Sequence, residues 1–180
     1  MPGISKGKKM LLLGALLVAV DQVIKILVKT NMSLGESFPV IGDFFRIAFV
    51  ENDGMAFGFA FGGVVGKYVL TIFRLGLFAV LTWWISSLLK QEEVPAGVIT
   101  GLTLIDAGAL GNILDCLFYG LIFTPHYPLM QGRVVDMFSF SIFPPVFNFA
   151  DSCVTVGAFY LIFFQYKFFS KGDEKKKPEK

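Results

Sequence analysis

The chain has 180 residues, of which 54% are hydrophobic and only 17% are charged, and its formal net charge is +2. A soluble domain of this length carries more charge and shorter apolar runs, so the composition excludes that class and predicts an integral membrane protein folded as one compact bundle. The two cysteines, Cys116 and Cys153, lie in apolar stretches without the spacing of a disulfide framework or a metal site. The single histidine, His126, lies in a proline-containing connection, where it is a poor partner for a serine or cysteine nucleophile.

Lysines are concentrated at the two ends of the chain. Three precede the first apolar run and six follow the last: Lys6, Lys8, Lys9, Lys167, Lys171, Lys175, Lys176, Lys177 and Lys180. Because positive charge favours the cytoplasmic side, both termini are expected in the cytoplasm, which requires an even number of crossings. Residues 170–180 are predicted to form a polar cytoplasmic tail with at most an electrostatic attraction to anionic lipid.

The first crossing is predicted over residues 10–30, which can just span about 30 Å of hydrocarbon. This stretch resembles the basic and apolar regions of a signal peptide, but no small-residue cleavage site follows, so a retained helix is expected. Asp21 and Lys25 are four residues apart and share a helix face, so they can neutralise each other. Taken alone, this pair is explained by a plain ion pair near the outer interface.

Residues 31–66 are too polar and too rich in glycine to span, and residues 36–62 are predicted to form a small β element outside the membrane. Two strand-like runs, 44–50 and 55–61, are expected around a turn at 51–54. On the outer surface such a sheet could bind an extended peptide by its backbone. The composition also allows an ordinary extramembrane hairpin.

The remaining chain predicts three more crossings, at residues 67–89, 96–123 and 146–169, with a loop outside the membrane at 124–145. The fold class is an all-α membrane protein, a four-transmembrane-helix bundle with a small extramembrane β-sheet on the outer side. Residues 1–169 are expected to form a single membrane-embedded domain. Small residues in the third crossing permit close helix packing: Ala107, Gly108, Ala109 and Gly111.

This topology gathers polar residues from distant parts of the chain at one depth. The first and third helices run outward and the fourth runs inward, so at about 1.5 Å per residue their polar groups all reach the outer half of the bilayer. These residues are Asp21, Lys25, Asn112, Asp115, Asn148 and Asp151, joined from the outer loops by Asn52 and Asp136. A purely structural polar cluster is the alternative, but Lys25 and Arg74 supply few counter-ions for so many acids, which favours function.

Asp136 and Asp151 flank the start of the last predicted crossing, within residues 131–157. Two carboxylates held close together do not both ionise readily, so one keeps a proton while the other acts as a base. This combination is suited to activating water. The stretch therefore predicts a catalytic pair at a membrane surface.

Five short motifs resemble, in order, those of the lipoprotein signal peptidases, also called signal peptidase II. They are DQVIK at 21–25, NDGMAF at 52–57, GALGNILD at 108–115, VVDMF at 134–138 and FNFAD at 147–151. Any one of them would be a weak signal, but five in order across nearly the whole chain are specific. The resemblance implies a bacterial inner-membrane aspartyl endopeptidase that removes the signal peptide of a prolipoprotein before a diacylglyceryl-modified cysteine.

The resemblance also implies which residues form the site. The catalytic pair falls on Asp136 and Asp151. Supporting residues fall on Asp21, Lys25, Asn52, Gly54, Asn112, Asp115, Asn148 and Ala150, although for Asn112 an ordinary interhelical hydrogen bond is an equal alternative. Globomycin-type antibiotics are expected to occupy the site. No cofactor, metal or nucleic acid is expected. The expected partners are prolipoproteins and membrane lipid, and the chain is expected to act as a monomer.

The chain departs from the family pattern at one position, because Asp115 is followed by Cys116 where the family usually has arginine. Arg74 is the nearest compensating cation, and its depth is similar to that of Asp106. An Arg74–Asp106 pair is therefore a hypothesis, since either charge alone in hydrocarbon is unfavourable.

Two other classes of function compete with this interpretation. A proton-coupled transporter would spread its carboxylates through the full depth and show inverted repeats. Here the acids cluster near one face, and only Asp106 approaches mid-depth. A structural membrane subunit would leave the shared depth of so many polar residues unexplained.

Overall fold

The computed structural model describes residues 5–53, 63–124 and 127–174. Its helices are α1 Lys6–Asn31, α2 Gly63–Leu88, α3 Ala96–Leu114, α4 Gly120–Phe123, α5 Phe149–Phe164 and α6 Tyr166–Glu174, with a π-helical turn at Asp115–Tyr119. Its strands are β1 Ser37–Ile41, β2 Phe45–Asn52, β3 Val134–Phe140 and β4 Phe143–Phe147. The fold is mostly helical with a small antiparallel sheet.

Three helices in the described ranges are long and apolar enough to cross a membrane: Lys6–Asn31, Gly63–Leu88 and Ala96–Phe123. The third continues from α3 through the π-helical turn into α4. The fourth predicted crossing differs from its prediction over 146–169. The chain is still a strand at Phe147, α5 has 16 residues, and a break at Gln165 separates it from α6.

The late start of α5 has a local cause. Asn148 is the N-cap: its side chain accepts a hydrogen bond from the backbone of Asp151, whose side chain accepts one from the backbone of Asn148 in return. This reciprocal capping box satisfies two backbone donors that a helix otherwise leaves open. The helix therefore begins with both residues fixed at its first turn.

The four strands form one antiparallel sheet in the order β1-β2-β3-β4. The predicted turn at 51–54 is wrong in part, because Glu51 and Asn52 belong to β2 and pair with Val135 and Val134 of β3. The hairpin partner of β2 is β1, which precedes it. The run predicted at 55–61 lies outside the described residues. The other half of the sheet comes from β3 and β4, which lie in the predicted loop at 124–145 except for Val146 and Phe147, predicted to belong to the fourth crossing.

Along α3 a polar layer lies between two apolar ones. At one end, Val98, Ile99 and Leu102 pack with residues of α2 and α5. At the other, Tyr119 packs with α1 and with Val135 and Met137 of the sheet. Asn112 of α3 and Asp115 of the π-helical turn, which belong to the polar layer, lie between these clusters, at the end of the bundle that carries the sheet.

Glycines bring the helices close around this polar layer. A Cβ on Gly108 would lie 2.3 Å from the carbonyl oxygen of Ala150 in α5, and one on Gly111 would lie 2.6 Å from Oδ2 of Asp21 in α1. The close packing predicted for this stretch is thus observed on both sides of α3. It brings α1 and α5 to the same segment of α3.

Candidate active site

Asp136 lies in β3 and is 3% exposed. Its two carboxylate oxygens each accept an amide hydrogen bond, one from Nδ2 of Asn148 at 2.6 Å and one from Nδ2 of Asn52 at 3.1 Å. Asn52 is the diagonal neighbour of Asp136 across the β2–β3 pair, since Val50 stands directly opposite. The sheet and the start of α5 thus hold one carboxylate from two sides.

Asp151 lies in the first turn of α5, where the capping box fixes it. One of its oxygens accepts a hydrogen bond from Nδ2 of Asn112 at 2.7 Å. Asn148 also donates to Oδ1 of Asn112 at 3.1 Å, so a single amide side chain links Asp136 to the residue that holds Asp151. The two acids predicted as a pair therefore belong to one hydrogen-bonded cluster built from α3, α5 and the sheet.

The surroundings of Asp136 raise its pKa to about 6, first through burial and then through the negative charge of Asp151. The hydrogen bonds from Asn52 and Asn148 and the charge of Lys25 act in the opposite direction. A carboxyl group with a pKa near 6 can keep or release a proton near neutral pH. The arrangement can therefore supply both a proton acceptor and a proton donor.

Lys25 lies beside the pair with no exposed surface. Its ammonium group contacts Oδ2 of Asp21 at 2.9 Å, Oδ2 of Asp115 at 2.8 Å and Oδ1 of Asn112 at 2.8 Å. An ammonium group has three donors, and these three oxygens use them. The spacing of Asp21 and Lys25 predicted an ion pair, and the structure adds Asp115 to it.

The two acids that contact Lys25 also accept hydrogen bonds from backbone groups of α5 and β3, the elements that carry Asp151 and Asp136. Asp21 accepts from the backbone N–H of Ala150 at 2.9 Å, next to Asp151. Asp115 accepts from the backbone N–H of Val135 at 3.3 Å, next to Asp136. A charged acceptor bonded to a buried N–H is among the stronger hydrogen bonds in proteins. Lys25 is thus connected to both elements through its two carboxylate partners.

Gln22 belongs to this cluster although the sequence did not single it out as a site residue. Its amide donates to Oδ1 of Asp115 at 2.9 Å and to the carbonyl of Gly111 at 3.0 Å. Its own oxygen accepts from the hydroxyl of Tyr119 at 3.1 Å. Its position between Asp21 and Lys25 in the DQVIK motif was the available signal.

The predicted pair of Arg74 with Asp106 is wrong. Arg74 donates to Sγ of Cys116 at 3.4 Å, and Asp106 accepts from the hydroxyl of Thr82 at 3.1 and 3.0 Å. A cation therefore contacts the position where the chain departs from the family pattern. The predicted supporting residue Gly54 lies outside the described residues.

No group of three or more histidine, cysteine, aspartate or glutamate side chains in the described ranges is arranged to hold a metal ion. The acids of the cluster are instead engaged by amides and by Lys25.

Comparisons with known proteins identify the family of the chain. The family described as signal peptidase (SPase) II matches residues 13–167. The chain is similar to the lipoprotein signal peptidases of Porphyromonas gingivalis, at 40% identity over 190 aligned residues covering 87% of this chain and 82% of that protein, and of Desulfitobacterium hafniense, at 39% over 139 residues covering 77% and 80%. A solved bacterial membrane enzyme structure is 30% identical with a TM-score of 0.67, covering 96% of this chain and 94% of that one. The chain therefore belongs to the signal peptidase II family and is a peptidase.

Proposed function

We propose that the chain is an aspartyl endopeptidase that removes the signal peptide from prolipoproteins by cleaving before a diacylglyceryl-modified cysteine. The family and the names of the relatives support the substrate class. The observation that carries the aspartyl mechanism is the linkage of Asp136 and Asp151 through Asn148 and Asn112. Two acids held in one polar cluster are the arrangement that water activation requires.

In the proposed reaction, one aspartate removes a proton from a water molecule as it attacks the scissile carbonyl carbon. The other aspartate donates its proton to the carbonyl oxygen, which gives a tetrahedral diol. The first aspartate then passes the water-derived proton to the leaving amine nitrogen, while the second recovers a proton from a diol hydroxyl. The C–N bond breaks, and the pair returns to its single-proton state. Because the two acids interact, they titrate as a pair, and the roles are not divided between them in advance.

The neighbouring polar residues have distinct tasks in this proposal. Asn148 and Asn52 orient the carboxylate of Asp136, and Asn112 orients that of Asp151. Lys25, Asp21 and Asp115 hold the elements that carry the pair, with Ala150 as the backbone contact on α5. Gly54 is proposed as a further site residue on the same motif as Asn52.

The proposed location is the bacterial cytoplasmic membrane, with the site facing the periplasm and both termini in the cytoplasm. The three long apolar helices and the family are consistent with an inner-membrane protein. A fourth crossing is proposed for α5, which makes residues 1–169 a single four-helix domain followed by a polar tail. The domain is proposed to act as a monomer and to bind globomycin-type inhibitors at the aspartate pair.

Replacing either acid by its amide tests the catalytic pair. Asp136→Asn and Asp151→Asn should each lower cleavage of a purified lipid-modified prolipoprotein at least about a hundredfold, since an amide cannot exchange the proton. The measurement is the rate at which a shorter product appears in detergent or lipid. Asp106→Asn is the matched control, because Asp106 lies on α3 and contacts Thr82 rather than the pair.

Near-normal cleavage by either variant would remove that residue from the pair. A wild-type chain that cleaves no lipid-modified prolipoprotein would overturn the proposed function as a whole. A chain that instead transports protons would support the transporter alternative.

A further inference from the structure

A row of five alternating charges runs beside the site, and none of its ion pairs includes a residue assigned above. It joins Lys29 of α1, Glu51 of β2, Arg133 before β3, Asp53 after β2 and Lys67 of α2. Each neighbouring pair has opposite charge. We call this row the charge ladder.

Arg133 is the centre of the charge ladder. Its Nη1 lies 3.4 Å from Oε2 of Glu51, and its Nε lies 3.0 Å from Oδ1 of Asp53. The outer positions close the row, since Lys29 pairs with Glu51 and Nζ of Lys67 lies 3.0 Å from the same oxygen of Asp53. The lysines are nearly buried, with side chains 10% and 7% exposed, so these ends of the ladder are shielded from solvent.

The residue between the two acids is Asn52, which donates to Asp136. Along an extended chain successive side chains point to opposite faces, so Glu51 and Asp53 share one face and Asn52 points to the other. A guanidinium that contacts both acids therefore fixes the direction in which the Asn52 side chain points. Arg133 directly precedes Val134, the pairing partner of Asn52, so it is well placed to do so.

We propose that Arg133 is a positioning residue that, by binding Glu51 and Asp53 together, keeps the amide of Asn52 on the carboxylate of Asp136. This inference deepens the proposed function and rests on it. Single exposed ion pairs contribute little, and the Arg133 and Asp53 side chains are 43% and 44% exposed. The positioning of Asn52 arises because the forked guanidinium of Arg133 contacts both acids at once, which a lysine ammonium does not reproduce.

A positioning role predicts a specific change in the pH dependence of cleavage. The pair must hold one proton, so kcat/KM falls as pH rises through the pKa at which that proton is lost. The charged groups acting on Asp136 are Asp151 on α5, which raises its pKa, and Lys25 on α1, which lowers it. The hydrogen bond from Asn52 also lowers this pKa, so losing it should move the alkaline limb to higher pH.

The experiment is a double-mutant cycle on the full-length chain with a lipid-modified prolipoprotein as substrate. Arg133→Ala should lower kcat/KM about tenfold, within the coupling range of neighbouring residues, and shift the alkaline limb in the same direction as Asn52→Ala. In the Asn52→Ala background, Arg133→Ala should have no further effect on the limb. Arg133→Lys should restore only part of the loss. Arg46→Ala is the matched control, because Arg46 lies on β2, the strand that carries Asn52, and donates to Ser37 rather than to an acid.

The size-preserving variants Glu51→Gln and Asp53→Asn repeat the test if Arg133→Ala does not fold. An unchanged pH profile in the folded Arg133 or acid variants, or equal additive shifts in both backgrounds, would overturn the positioning role. Such a result leaves the proposed function standing as long as cleavage still requires Asp136 and Asp151. Loss of cleavage without any shift of the limb would mean that the ladder supports the fold only.

Discussion

The most constrained side chain of the site is Lys25, a fully buried charge with three oxygen acceptors. Removing one partner from a buried ion cluster leaves uncompensated charge, which is much more unfavourable than the net gain from the intact cluster. Lys25→Met should therefore lower the free energy of unfolding by about 3–5 kcal/mol. The measurement is thermal unfolding in detergent.

The control for this variant is Lys90→Met at an exposed position, which should melt like the wild type. Adding Asp115→Asn to Lys25→Met should recover part of the loss, because the two residues share one contact and their effects do not add. A Lys25→Met protein that melts like the wild type would show that Asp21 and Asp115 do not depend on Lys25 to offset their charge.

At the same scale, the sequence predicted the polar set but not every partner within it. Spacing along one helix was enough to pair Asp21 with Lys25. Depth in the membrane alone did not identify the partner of Arg74, because helix packing sets which residues of α2 and α3 lie opposite each other. Thr82 lies opposite Asp106, and Arg74, eight residues or about 12 Å nearer the sheet end, lies opposite Cys116. Gln22 was missed because its role depends on partners from α3.

Among the elements, the π-helical turn and the loop before β3 depend on each other. The widened turn lets the carbonyl of Cys116 accept from the backbone N–H of Gly132 at 2.9 Å, and that of Leu117 from Met130 at 3.1 Å. A Cβ on Gly132 would lie 2.0 Å from the carbonyl oxygen of Asp115. Because the atom that this Cβ would meet belongs to the backbone, no side chain can rotate away to relieve the clash.

Gly132→Ala should accordingly destabilise the protein and lower cleavage, because it separates the turn carrying Asp115 from the strand carrying Asp136. Overpacking of this kind is expected to cost about 1–3 kcal/mol or more. Gly76→Ala is the matched control, since a Cβ there meets nothing within 4 Å, and its stability should stay level or rise. Equal melting temperatures for the two variants would contradict the close approach.

The elements also show where local patterns stop being informative. Apolar length predicted three long helices: Ala96–Phe123 has the predicted bounds, whereas Lys6–Asn31 and Gly63–Leu88 each begin four residues before the predicted starts. The sheet did not follow in full, because β2 pairs with β3 about 90 residues away, and no local pattern encodes that partner. Pro144 and Pro145 lie in β4, a sheet edge, where the missing N–H groups are tolerated. The predicted helix start at 146 overlooked the Asn148 cap.

For the whole molecule, the number of crossings depends on α5. Its 16 residues rise about 24 Å, slightly less than a typical hydrocarbon core. The last helix, α6, begins directly after the break at Gln165 and carries Lys167. The hairpin between β3 and β4 contains Ile142, which is 78% exposed at the opposite end of α5. Lys167 and Ile142 lie at opposite ends of α5, so labelling them can show whether this helix crosses the membrane.

A membrane-impermeant thiol reagent can therefore decide between three and four crossings. Cys116 and Cys153 are both buried, and each is first replaced by alanine. In intact spheroplasts, Ile142→Cys should react, whereas Lys8→Cys and Lys167→Cys should react only after the membrane is permeabilised, because the lysine-rich ends are expected to lie in the cytoplasm. Reaction of Lys167→Cys in intact spheroplasts, with Lys8→Cys still protected, would mean that α5 does not cross. Since Asp151 lies in the first turn of α5, that result would also place this proposed catalytic residue on a helix lying at the membrane surface rather than on one inserted through it.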